Sequence, residues 1–273
     1  MQLIFFDLDG TLLNNASEIS AFTKETLMLL SEKDIAYTVA TGRTMLSAQR
    51  IIEGHNFTLP HIFNNGVTIW DPNSQQVTLE NLLKGDEVSE IIEIALAHGI
   101  TPFVNVIDQQ HNHFIFHSKT HKAIEKELIE TYFAASKATL LPIETLSKDS
   151  QVTNISMIGA AGDIKKMWHF FNTHSNLIAY SGPAIEGNNY WWMDVHHRQA
   201  NKGSAVTALK SKLGATKVIC FGDGDNDLSM FALADECYAP ENAKPEIKNS
   251  AHGVVGHNHE DGIAHFLRER FSL

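Results

Sequence analysis

Cysteine is scarce in this 273-residue sequence: there are two, Cys220 and Cys237, and neither belongs to a CxxC pair. That spacing argues against a disulfide framework and a thiolate zinc site, and leaves both as buried or incidental thiols. Basic clusters are missing too. Lys and Arg number 21 against 32 Asp and Glu, for a formal net charge of -11. Such a field repels nucleic acid and anionic membranes, so neither is expected as a partner. No apolar stretch approaches the roughly 20 residues of a membrane span, and the N-terminus shows no basic region followed by a cleavage site. A soluble, cytoplasmic protein is the expectation. Internal repeats and low-complexity tracts are also lacking. What is present is 43% apolar residues in 30.4 kDa, enough for one large domain or two smaller ones with a sizeable core.

Three segments read as buried parallel strands: Leu3 to Phe6, Ala36 to Thr41 and Lys217 to Phe221. Each is short, apolar or β-branched, and followed by polar residues or glycine. Helical patterns cover Ser20 to Lys33, opened by a serine cap, and Gly203 to Leu213, stopped by Gly214. Strand alternating with helix implies an open α/β sheet, whose ligands bind beyond the carboxyl ends of the strands. The middle of the chain reads as helix Asp86 to His98, strands Thr101 to Ile107 and His113 to His117, helix Thr120 to Ala135, strand Val152 to Gly159, helix Asp163 to His174, then strands Leu177 to Tyr180 and Tyr190 to Val195. The fold class expected is therefore α/β, a Rossmann-like parallel-sheet core over residues 1–81 and 190–273 with an inserted α+β domain over 82–189.

Each core strand ends on chemistry. "LIFFDLDGTLL" places Asp7 and Asp9 one residue apart at a strand end, where two carboxylates repel unless a cation intervenes. Magnesium fits, since it prefers hard oxygen ligands and keeps positions for water and phosphate; a surface turn is the plain alternative. "FGDGDNDLSMF" puts Asp223, Asp225, Asn226 and Asp227 at a helix start. Helix capping needs one carboxylate there, and three within five residues repel, which favours a bound cation. "ATGRT" offers the Thr41 hydroxyl and the Gly42 amide to a phosphate oxygen, or else a simple cap. Lys202 stands at a helix start, which the dipole slightly disfavours, and either meets an anion or is solvated. His111, His113 and His117 alternate along one strand without a further ligand in the spacing, and read as exposed. The acidic run is no EF-hand loop, because Ala234 stands where the bidentate Glu belongs.

Together the four stretches resemble the haloacid dehalogenase superfamily of phosphatases, in the order and spacing of its motifs. Asp7 to Thr11 looks like the first, Thr41-Gly42 the second, Lys202 the third and Gly222 to Asp227 the fourth. The insertion between the second and third looks like the Cof-type branch with a class IIB α/β cap. The resemblance implies Asp7 as nucleophile and Asp9 as general acid and base. It implies Mg2+ held by Asp7, the Asp9 backbone carbonyl and Asp223, with Asp227 orienting that shell. The transferring phosphoryl oxygens would be met by Leu8, Thr41, Gly42, Lys202 and Asn226. The implied activity is hydrolysis of a small phosphorylated metabolite, a sugar phosphate or a cofactor phosphate such as pyridoxal phosphate, by a monomer or small homo-oligomer. A sugar phosphomutase of the same branch and a catalytically silent phosphometabolite-binding protein are the alternatives.

Overall fold

The computed structural model describes residues 1–120, 122–133, 136–184 and 189–273, and the chain divides into two compact units, Met1–Glu80 with Asn201–Leu273, and Asn81–Ala200.

The discontinuous unit is built on a five-stranded parallel sheet. Its order is Gly253–Val255, Glu236–Pro240, Lys217–Phe221, Gln2–Phe6, Ala36–Val39, so the first strand of the chain is interior. The unbroken apolar runs follow from burial on both faces. Ile4 and Phe6 join one core cluster with Ile219 and Phe221; Leu3 and Phe5 join another with Val218 and Cys220. Alternation along each strand thus serves two cores. Ser20 caps the helix Ala21–Glu32 by accepting from the Thr23 amide, and Asn201 caps Lys202–Lys212 by accepting from Ser204. Beyond Ala36–Val39, a bridge from Ala40 to Ile62 leads into a three-stranded antiparallel sheet, His61–Phe63, Thr68–Asp71 and Gln76–Leu79, which the sequence reading did not anticipate.

The second unit carries a six-stranded sheet in the order Leu177–Pro183, Tyr190–His197, Val152–Ala160, Phe103–Ile107, His113–His117, Thr139–Pro142, antiparallel except for the last pair. Helices Gly85–Ala97 and Ala161–Thr173 send Ile91, Ala95, Ile164, Met167 and Phe171 into its core. Of the helix expected over Thr120 to Ala135, Ala123–Leu128 and the wider turn Ile129–Phe133 are described; residues 121, 134 and 135 lie outside the described residues. One boundary moves. Tyr190–His197 pairs on one side with Leu177–Pro183 and on the other with Val152–Ala160, so the return to the core falls near 201 rather than 190. Trp191 packs against this core with Lys165 Nζ 4.3 Å over its ring, while Trp192, on the opposite face, is exposed. Half-buried positions of His113 and His117 replace the exposed ones expected. Among the described residues no helix is long and apolar enough to cross a membrane.

Candidate active site

Asp7 follows directly on Gln2–Phe6, held by its amide donating to the Phe221 carbonyl at 2.9 Å. The neighbouring strand Lys217–Phe221 runs parallel in register, so its own exit, Gly222-Asp223, arrives at the same edge. Two close approaches make the fit. A β-carbon on Gly10, whose φ is +69°, would stand 2.3 Å from Asp223 Oδ2, and one on Gly222 would stand 2.4 Å from Asp227 Cγ. Glycine at 10 thus supplies both the left-handed turn and the room for the second acidic loop.

Asp7, Asp223 and Asp227 converge so that one carboxylate oxygen of each lies within 4.8 Å of the others. Lys202 is buried among them, its Nζ donating to Asp7 Oδ1 and Asp227 Oδ1 at 2.6 Å each. The other oxygen of Asp227 accepts from the amides of Asp223 at 3.0 Å and Gly224 at 2.9 Å, so Asp227 fixes both Lys202 and the turn that carries Asp223. Thr11 donates its hydroxyl to Asp223 Oδ1 at 2.9 Å. Lys202 is a buried cation, not a solvated one.

The electrostatics describe a site short of positive charge. Burial pushes the Asp7 carboxyl well above its usual range; Lys202 opposes this, and Asp227 and Asp223 add to it. Burial, then Asp227, pushes Asp223 up to about 6. Burial works against the charge on Lys202 as well, but Asp227 and Asp7 outweigh it and hold the ammonium above its ordinary value. Fully ionised, three carboxylates against one ammonium would leave two negative charges in this space. A divalent cation matches that deficit, and an all-oxygen donor set suits magnesium. The residues fit the metal that the sequence reading implied, with Asp7 and Asp223 offering carboxylate oxygens.

Asp9 points elsewhere. Its carboxylate is 54% exposed and is gripped in a fork by Arg43, Nε to Oδ2 at 2.6 Å and Nη2 to Oδ1 at 2.5 Å. Those hydrogen bonds hold the guanidinium above its ordinary value. Arg43 was not singled out from the sequence, although it stands within the quoted "ATGRT". Thr41 is buried; its hydroxyl oxygen accepts from the Arg43 amide at 3.1 Å and its amide donates to Ile62 at 2.9 Å. Gly42 lies against the side chains of Asn65 and Asn226, where a β-carbon would sit 3.3 and 3.5 Å away, and Asn226 donates to Asn65 Oδ1 at 2.9 Å. Asn65 is a second residue missed. It is buried in a left-handed turn with Asn64, and the Asn-Asn-Gly turn signal was its only trace in the sequence. Leu8 is buried at the start of the turn Leu8–Leu12 that follows Asp7. Asp7, Asp223, Asp227 and Lys202 thus form one cluster; Thr41, Gly42 and Asn226 form a second group joined through Asn65, and Asp9 joins Arg43.

Comparison with known proteins gives this geometry a context. Residues 4–267 match the family model of haloacid dehalogenase-like hydrolases. A 5-amino-6-(5-phospho-D-ribitylamino)uracil phosphatase of Bacillus subtilis (strain 168) is 26% identical over 278 residues, covering 99% of this chain and 98% of that protein. A pyridoxal phosphate phosphatase of Escherichia coli (strain K12) is 25% identical over 278 residues, covering 97% of each. Among solved structures, a subclass IIB sugar phosphatase of the superfamily superposes with a TM-score of 0.76 at 20% identity, over 100% of this chain and 99% of that one. The chain belongs to the haloacid dehalogenase-like hydrolases, and it shares its fold with a class IIB sugar phosphatase of that superfamily.

Proposed function

We propose that this chain hydrolyses the phosphate monoester of a small metabolite, a sugar phosphate or a cofactor phosphate such as pyridoxal phosphate, in two steps through an ester on Asp7. The observation that carries the reading is the buried Asp7 carboxylate at the end of an interior strand, 2.6 Å from Lys202 and grouped with Asp223 and Asp227. The relatives named for phosphatase activity on a ribitylaminouracil phosphate and on pyridoxal phosphate support the substrate class.

In the first step an Asp7 oxygen bonds to phosphorus as the ester P–O bond breaks, and Asp9 gives its proton to the departing alcohol. In the second, Asp9 takes a proton from water, whose oxygen attacks phosphorus and returns Asp7 as carboxylate. Charge spread over the three equatorial oxygens is met by Lys202, the Thr41 hydroxyl, the Leu8 and Gly42 amides and Asn226. Arg43 orients Asp9 through both carboxylate oxygens, and Asp227 orients Lys202. Asp7, Asp223 and the Asp9 carbonyl would hold magnesium, and the ion would supply positive charge that shields the Asp7 carboxylate from the anion it attacks.

The test is phosphate release from a panel of sugar phosphates, pyridoxal phosphate and nucleotides, with magnesium and with a chelator, for wild type and Asp7→Asn. Turnover that needs magnesium and vanishes in a folded Asp7→Asn protein, with oxygen from labelled water appearing in released phosphate, supports the reading. Undiminished turnover in Asp7→Asn would sink it.

A further inference from the structure

A cleft lies wholly within the discontinuous unit and shares no residue with the carboxylate cluster. Its volume is about 950 Å3, at the upper end of the roughly 300–1,000 Å3 of small-molecule sites. Glu32 ends the helix Ala21–Glu32, which returns the chain to the start of the strand Ala36–Val39, so the cleft opens away from the strand ends that carry Asp7 and Asp223. We propose that this cleft is a binding site for a small organic cation bearing a flat aromatic ring.

Three features select that chemistry. The first is an aromatic wall: half-buried Trp70 and half-exposed Met28 line the cleft, backed by the buried rings of His61, 5.4 Å from Trp70, and Phe57, 6.1 Å from His61. Flat rings and thioethers take up aromatic ligands, and ring faces attract cations.

The second is charge. Glu32 and Glu53 stand exposed among the lining residues, neither in an ion pair or side-chain hydrogen bond with a described residue, and among the described residues no Lys or Arg lines the cleft. A phosphorylated or carboxylate ligand meets like charge here, whereas a cation meets two free carboxylates.

The third is the tautomer of His61. Thr38 gives its single hydroxyl hydrogen to the Pro60 carbonyl at 2.7 Å, so toward His61 Nδ1, at 3.1 Å, it must accept. The hydrogen therefore sits on Nδ1 and Nε2 is left as an acceptor, for which no described residue supplies a donor. Burial pulls His61 down to about 4, which keeps the ring neutral at pH 7. Lone pairs and carboxylates together call for N–H donors on the ligand.

Three probes share an indole ring and differ in charge: tryptamine, indole and indole-3-acetate. Calorimetric titration of the full chain at pH 7 is expected to show tryptamine binding about tenfold tighter than indole, and no heat with indole-3-acetate. In the Glu32→Gln/Glu53→Gln variant, which alters two exposed side chains, tryptamine is expected to fall to the affinity of indole while indole is unchanged. Trp70→Leu should weaken both. The proposal is overturned if tryptamine gives no binding at up to about 10 mM, if indole-3-acetate binds as well as tryptamine, or if the tenfold preference survives the double substitution.

Discussion

Replacing Lys202 by methionine isolates the charge balance of the site. The side chains are of similar length, so the change removes the ammonium with little loss of packing. Lys202 is fully buried and bonds two carboxylates at 2.6 Å, and Asp227 is itself fully buried. Breaking a buried ion pair by deleting one partner costs about 3–5 kcal/mol, because the charge left behind has neither water nor counter-ion. At roughly 2–4 °C per kcal/mol for a domain of this size, the melting point of the core unit should fall by about 6–20 °C in chelator. The sign of the pH dependence follows. Carboxyls held above their ordinary range bind more protons folded than unfolded, so the deficit should widen as pH rises from 5 to 8 and shrink as they are protonated. A further substitution, Asp227→Asn, sharpens the test. In the single variant Asp227→Asn, the amide must turn its NH2 either toward Lys202 or toward the two backbone amides, a clash in both cases. With methionine at 202 the NH2 faces no cation and the carbonyl still accepts from the backbone. Lys202→Met/Asp227→Asn should therefore be more stable than either single variant, a coupling measured by calorimetric melts of all four proteins. Melting of Lys202→Met within about 2 °C of wild type at pH 8, or additive losses in the double variant, would refute the assignment of Lys202 as the buried counter-charge.

The other expectations are shorter. Asp223, pushed up to about 6 by burial and by Asp227, binds more protons folded than unfolded between the ordinary carboxylate value of 3.8 and 6. Metal-free protein should therefore lose stability as pH rises through that window, by at most about 3 kcal/mol, and Asp223→Asn should flatten the dependence in denaturant titrations. Gly10→Ala places a methyl 2.3 Å from Asp223 Oδ2 at a left-handed φ, so the acidic loop must move and kcat should drop at least about 100-fold; steady-state kinetics near the wild-type value would show that the two loops need not touch. Arg43→Ala frees the exposed Asp9 carboxylate, so it should lower kcat about tenfold or more through lost orientation while moving the melting point by no more than a few degrees, since exposed pairs contribute about 0–1 kcal/mol.

The parts of the site that were legible in the sequence are those whose position is set locally. An apolar run ending in a carboxylate announces both the strand and the edge at which it stops, and this holds at Asp7 and at Asp223 because two buried parallel strands in register deliver both to one place. The parts that were not legible depend on what lies across from a residue. Lys202 at a helix start looks the same in sequence whether solvated or enclosed; only the approach of Asp7, 195 positions away, and Asp227, 25 positions away, decides. Arg43 sits beside a motif already noticed, but its role needs Asp9, 34 positions earlier, on another strand exit. The misplaced boundary has the same origin. Periodicity tells which face a strand residue takes, not which strand lies beside it, and Tyr190–His197 carries no mark of its two antiparallel neighbours. The three-stranded sheet from His61 to Leu79 escaped because its strands are only three or four residues long and Gln76–Leu79 is largely open to solvent, leaving little apolar signal. Yet that sheet begins with His61, which lines the cleft, and its first turn carries Asn65 to Asn226. The residues hardest to read from the sequence are therefore those of a short sheet that lines the cleft at its first residue and holds Asn226 from its first turn, and they are where substitution should be most informative about each.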